Sequence, residues 1–150
     1  MAASRKDIRR ALDDQVRLSV DFPVLPQLRD FVEIYVEPLV LGGAIEEAPG
    51  GYRLKEESVA EVKVVVPWDL EYGAELARKR GLRFRLAFTG PFTIASRIGL
   101  PGSPQVELSK SVLSNPRLTE EVVSYASRLA ELLSRELRPY MVCIDEPILS

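Results

Sequence analysis

A helix-period segment gives way to a strand-like run four times along this chain, and that alternation limits its fold more than any other feature. Residues 5–17 carry Ile8, Leu12 and Val16 at helical spacing, with Ser4 and Asp7 placed as a loose capping box. Leu18-Ser-Val-Asp-Phe22 reads as a short strand, after which Pro23 and Pro26 make 22–27 a loop. Leu28, Phe31, Val32, Tyr35, Val36 and Leu39 predict a helix over 27–41, with Pro38 near its end and Gly42-Gly43 stopping it. Glu61-Val-Lys-Val-Val-Val66 reads as a strand, and Asp69 to Arg80 as a helix closed by Gly81. The run 82–88 is a strand that meets Thr89-Gly90-Pro91, and a short helix is expected over 91–97. Residues 99–116 hold three prolines and two glycines, so they are expected to be mostly loop, with a short helix at 105–113. Residues 118–137 carry the longest amphipathic pattern, and Tyr140-Met-Val-Cys-Ile-Asp145 follows as the last strand. Alternating elements predict an α/β fold with a parallel sheet.

At 150 residues the chain is the size of one domain and can bury a substantial core. Residues 44–58, with Ala-Pro-Gly-Gly at 48–51, are expected to form an exposed excursion. The last strand is apolar, and a parallel strand is normally covered on both faces. A partner on its open edge is therefore expected, either a complementary chain or a further copy in a homo-oligomer. Mean hydropathy is -0.01 and no apolar run is long enough for a membrane span, so no membrane role is expected.

Two near-absences in the composition restrict the chemistry. The chain has no histidine and a single cysteine, Cys143. Mechanisms that need an imidazole within the chain are excluded, and so is a closed Cys/His zinc site. The scarcity of cysteine suits a cytoplasmic protein. A net charge of -2 argues against a phosphate-driven nucleic-acid partner. One Asn and three Gln among 42 charged residues is a thermophile-like bias.

Ligands of parallel α/β folds gather at the carboxyl ends of strands, and three places qualify. Asp145 closes an apolar strand beside Glu146-Pro147, on the same face as Met141 and Cys143. It suits an ammonium-binding acid or a base, or equally an acid that is solvated or paired for structure. Thr89-Gly90-Pro91 either brings backbone close to a ligand or is a plain turn into a helix. Gln27, Arg29 and Asp30 follow the first strand, where they could hold a substrate or face solvent. Cys143 reads as a small core residue, and Arg78-Lys79-Arg80 as a basic helix end.

Taken in order, Pro26-Gln27-Leu28-Arg29-Asp30, Phe88-Thr89-Gly90-Pro91-Phe92-Thr93 and Ile144-Asp145-Glu146-Pro147 resemble the cobalamin-independent methionine synthase family. The resemblance is in particular to its short archaeal-type versions, which consist of the catalytic barrel alone. The resemblance spans roughly residues 6–150 and implies a partial (β/α)8 TIM barrel, about half of the roughly 250 residues a full barrel takes. It implies methyl transfer to homocysteine from a folate or a methylated corrinoid protein. Asp145 would hold the amino group of homocysteine, Gly90 and Pro91 would lie at the barrel mouth, and Arg29 and Asp30 would lie at the start of the second helix. It also implies zinc, but the family's zinc ligands belong to its second half and none is present here. The family's opening Gly-Ser strand is absent too, and Leu25, Pro26 and Gln27 do not reproduce its His-Gly-Glu contact. The resemblance thus implies a half needing a zinc-bearing partner segment. The alternatives are a non-catalytic, self-associating half-barrel, or a decarboxylase-like or corrinoid-dependent barrel relative.

Overall fold

The computed structural model describes residues 4–55 and 57–149. Five α-helices and five short strands lie in the order α1 (Arg5–Arg17), α2 (Glu33–Leu41), β1 (Ile45–Ala48), β2 (Gly51–Leu54), α3 (Trp68–Lys79), β3 (Arg85–Thr89), α4 (Pro91–Ser96), β4 (Ile98–Gly99), α5 (Pro116–Leu137) and β5 (Met141–Asp145). The fold is mixed α/β, with two small sheets among the described residues. No helix among those residues is long and apolar enough to cross a membrane.

Helix ends follow local chemistry. Ser4 caps α1 by accepting from the Asp7 N–H while the Asp7 side chain returns the bond, a complete capping box. Asn115 caps α5, Pro116 opens it, and Arg138 ends it in the left-handed region at φ 52°, just before Pro139. One face of α5 sends Leu118, Val122, Tyr125, Leu129, Leu133 and Leu137 into the core. There the Tyr125 hydroxyl donates to the Tyr35 carbonyl at 2.7 Å, and the Tyr35 and Phe88 rings pack at 4.6 Å.

β3 and β5 pair in parallel from Arg85 with Met141 to Thr89 with Asp145. The sheet expected from the alternation is shorter than the pattern suggests. Residues 18–22 form no strand: Leu18 ends α1, Ser19 turns at φ 54°, and only Val24 bridges to Arg85. Pro23 lacks an N–H, so it joins the sheet only by accepting from Arg85, and Pro26 prevents extension. Residues 61–66 also form no strand, although the period is real. Val62, Val64 and Val66 pack on the core while Glu61, Lys63 and Val65 face out. Arg128 of α5 donates to the Val62 carbonyl at 3.0 Å and to that of Ala60, just before the segment, at 2.9 Å, so acceptors here are met without a neighbouring strand.

The second sheet is not part of a parallel array. β1 and β2 form an antiparallel hairpin, and β4 adds to β2 in parallel. The segment 44–58 is therefore exposed at its Pro49-Gly50 turn but buried at its base through Ala44, Ile45 and Leu54. Helix α2 starts at Glu33, later than the pattern suggests, because the Asp30 side chain accepts from Val32 and Glu33 N–H and turns the chain there. Pro38 lies inside α2. The short helix expected at 105–113 is two 3₁₀ turns, Leu108–Lys110 and Val112–Ser114.

Candidate ligand pocket at the strand ends

Because β3 and β5 are parallel and in register, Thr89 and Asp145 stop at the same level. The segments leaving and approaching that level enclose an open pocket of about 520 Å³. Gln27 and Phe31 come from the run into α2, Ala87 and Thr89 from β3, and Ile144 to Pro147 from β5 and the turn beyond it.

Gln27 is held rigidly. Its side-chain amide donates to the Tyr35 hydroxyl at 2.7 Å and to the Ala87 carbonyl. A carbonyl only accepts, so the NH₂ must face Ala87 and the Oε1 is left as an acceptor. The Tyr35 hydroxyl in turn donates to the Ala87 carbonyl. Burial raises the Tyr35 pKa well above its usual value; the bond from Gln27 opposes this, and the charges of Asp69 and Asp145 add to it. Thr89 Oγ1 donates to the Phe31 carbonyl at 2.6 Å, which ties the α2 approach to the end of β3.

The two consecutive acids at the end of β5 do different work. Asp145 is exposed in the pocket, and its carboxylate makes no hydrogen bond or ion pair among the described residues. Glu146 reaches across to α4. It accepts from Phe92 N–H at 3.0 Å, Thr93 N–H at 2.9 Å and Thr93 Oγ1 at 2.8 Å, so it serves as an acidic cap on the helix start. Gly90 makes this possible: a Cβ there would sit 2.1 Å from Glu146 Cδ. The anion at the Thr89-Gly90-Pro91 turn is thus the protein's own side chain. An acid directly after a strand, set against a Gly-Pro helix start, is the sequence signal for this contact; it identifies Glu146 only once β3 and β5 are known to be neighbours.

Of the expected site residues, the structure brings Asp145 and Gln27 into one pocket and places Gly90 beneath Glu146. Arg29 lies elsewhere. Its guanidinium binds Asp69 through Nε at 3.0 Å and Nη2 at 2.9 Å, and Glu37 through Nη1 at 3.0 Å. Asp69 is buried, with only 1% of its side chain exposed. Burial alone would lower the Arg29 pKa, but the bonds to Asp69 and Glu37 outweigh it and raise the value, so Arg29 stays charged. It joins the loop before α2 to α2 and α3 and has no free donor face for a substrate. Cys143 is half-buried, as a small sheet residue.

Zinc, which the resemblance implies, would need thiolate and imidazole ligands. The chain has Cys143 alone and no histidine, and among the described residues no group of three His, Cys, Asp or Glu side chains could hold a metal. The residues present do not fit the zinc site. No family model, no curated protein and no solved structure matches this chain.

Proposed function

We propose that this chain carries the amino-acid-binding wall of a methionine-synthase-like methyl-transfer site, with the ammonium group of homocysteine held by Asp145. The observation that carries the reading is the uncommitted Asp145 carboxylate in a pocket at the carboxyl ends of parallel strands. An ammonium brings three donors and no acceptor. Asp145 and the Gln27 Oε1 are acceptors held on neighbouring elements, and Glu146 adds negative charge at the rim. Phe31 and Ile144 supply apolar surface for the methylene chain of the ligand.

In this reading β3, α4, α5 and β5 are a section of a (β/α)8 barrel wall, and the chain works in the cytoplasm. The reaction forms a carbon–sulfur bond to the transferred methyl group while the methyl–donor bond breaks, the donor being a folate or a methylated corrinoid. Asp145 and Gln27 hold and orient the amino acid. Activation of the thiol belongs to groups outside this chain's own residues, in a complementary chain segment.

The test is calorimetric titration of the full chain with L-homocysteine and L-methionine, repeated on Asp145→Asn. A hydrogen-bonded charge contact contributes about 1.5–3 kcal/mol, so Asn should weaken binding roughly 10- to 100-fold with an unchanged circular dichroism spectrum. Equal affinity in the two proteins, or no binding to either, would remove the proposal.

A further inference from the structure

The side chains of the pocket at the strand ends accept hydrogen bonds and offer none, and Gln27 sets this polarity. Arg85 donates to Pro23 and accepts from Leu25 on the side of β3 away from β5, so the Ala87 carbonyl, two residues on, points to that same side. The Gln27 side-chain amide meets it there, and its second hydrogen goes to the Tyr35 hydroxyl at 2.7 Å. Tyr35 does not reverse the amide, because its own hydrogen is given to Ala87 as well. Every buried side-chain nitrogen and oxygen among the described residues has a partner. Gln27 Oε1 accepts from none of those residues, so it is reached from the pocket that Gln27 lines.

The other lining side chains agree. The Thr89 hydroxyl gives its hydrogen to Phe31, Asp145 and Glu146 are carboxylates, and no lysine or arginine lines the pocket among the described residues. Glu146 is engaged by the start of α4, which leaves Asp145 and Gln27 Oε1 as the open side-chain acceptors. They act on one small region. Burial raises the Tyr35 pKa and the Asp145 charge adds to it, so that carboxylate bears on the same hydroxyl that binds Gln27.

We propose that this wall is an ammonium subsite with no hold on a carboxylate: it selects a primary alkylammonium, and the carboxylate of an amino-acid ligand is met by groups outside the pocket. The inference rests on the reading of Asp145 as the holder of the ammonium group and adds what the same pocket refuses. An ammonium gives one hydrogen to Asp145 and another to Gln27 Oε1. A hydroxyl has a single hydrogen, so one of the two acceptors would face its lone pairs. A carboxylate has none, and it would lie against two negative side chains with no side-chain donor to offset them.

Calorimetric titration of the full chain with three ligands tests this: methylthiopropylamine, which is methionine without its carboxylate, L-methionine, and the α-hydroxy analogue of L-methionine. The amine should bind at least about fivefold more tightly than L-methionine, and the hydroxy acid should bind most weakly. L-Methionine binding as tightly as the amine would overturn the inference and leave the Asp145 reading standing. Asp145→Asn binding L-methionine as the unsubstituted chain does would remove that reading and the inference with it. Gln27→Met keeps the net charge and the length of the side chain while removing the acceptor, so a general attraction of cations to an acidic surface would not register it. It should weaken both ammonium ligands about tenfold and leave the hydroxy acid within about twofold. An unchanged amine affinity, or equal weakening of all three ligands, would overturn the proposal. If Gln27→Met fails to fold, the order of the three ligands on the unsubstituted chain decides by itself.

Discussion

Replacing Gly90 with alanine should destabilise this protein only while Glu146 is present. The backbone of Gly90, at φ -69° and ψ 157°, accepts any residue, so the substitution strains nothing by itself. The obstacle is the Glu146 carboxyl group, 2.1 Å from the new Cβ. The side chain must swing away, giving up its contacts with Phe92 N–H, Thr93 N–H and Thr93 Oγ1. Loss of a helix N-cap costs about 0.5–2 kcal/mol, and three bonds to a half-exposed charge place this case near the top, at about 2 kcal/mol. Alanine also restricts the unfolded chain, worth about 0.4–1 kcal/mol in favour of folding. It is a poorer N-cap than glycine by a similar amount, and those two effects offset. Gly90→Ala and Glu146→Ala should each cost about 2 kcal/mol, lowering the melting temperature by roughly 4–8 °C for a domain of this size. The double variant should cost no more than either single one, leaving a coupling of about 2 kcal/mol. Urea unfolding of the four proteins measures this. Additive losses, or a neutral Gly90→Ala, would refute the assignment of Glu146 as the cap that Gly90 admits.

Two further perturbations test the interior. Asp69→Asn should cost about 3–5 kcal/mol in urea unfolding, because Arg29, with 11% of its side chain exposed, would lose the partner that compensates its burial; a loss below about 1 kcal/mol would show that Glu37 alone suffices. Burial raises the pKa of Tyr35 and Tyr125, and that of Tyr52 to about 12. Their folded pKa values lie above the unfolded value near 10, so their contribution to stability is complete below about pH 10 and lost as pH rises beyond it. Phenolate absorbance should show Tyr35 and Tyr125 titrating only with alkaline unfolding, and ionisation in the folded protein near pH 10 would contradict their burial.

The helices were legible because their signals are local. Ser4 with Asp7, Asn115 with Pro116, and the apolar face of α5 each determine their own element through contacts a few residues apart. Strands were less legible, since a period of two reports alternating burial and not pairing. Val62, Val64 and Val66 satisfy that period against the core, yet Arg128, 66 residues away in sequence from Val62, takes the place of a neighbouring strand. The same reasoning separates Val24, which reaches β3, from residues 18–22, which do not: the difference lies in the turn at Ser19 and the prolines at 23 and 26.

The candidate site divides along the same line. Asp145 was identifiable as an acid at a strand end, but so was Glu146, and local sequence treats them alike. What distinguishes them lies 53 and 54 residues earlier in the chain, where the N–H groups at the start of α4 wait above a residue with no side chain. Glu146 meets them and becomes structural, while Asp145, one residue back and directed into the pocket, remains available. Arg29 went the other way: its position suggested a ligand contact, but Asp69, 40 residues on, is buried beside it and requires its charge. A charged residue is free for a ligand only when no distant group in the fold needs it more, so the functional content of a strand-end motif depends on the pairing of β3 with β5 and not on the motif alone.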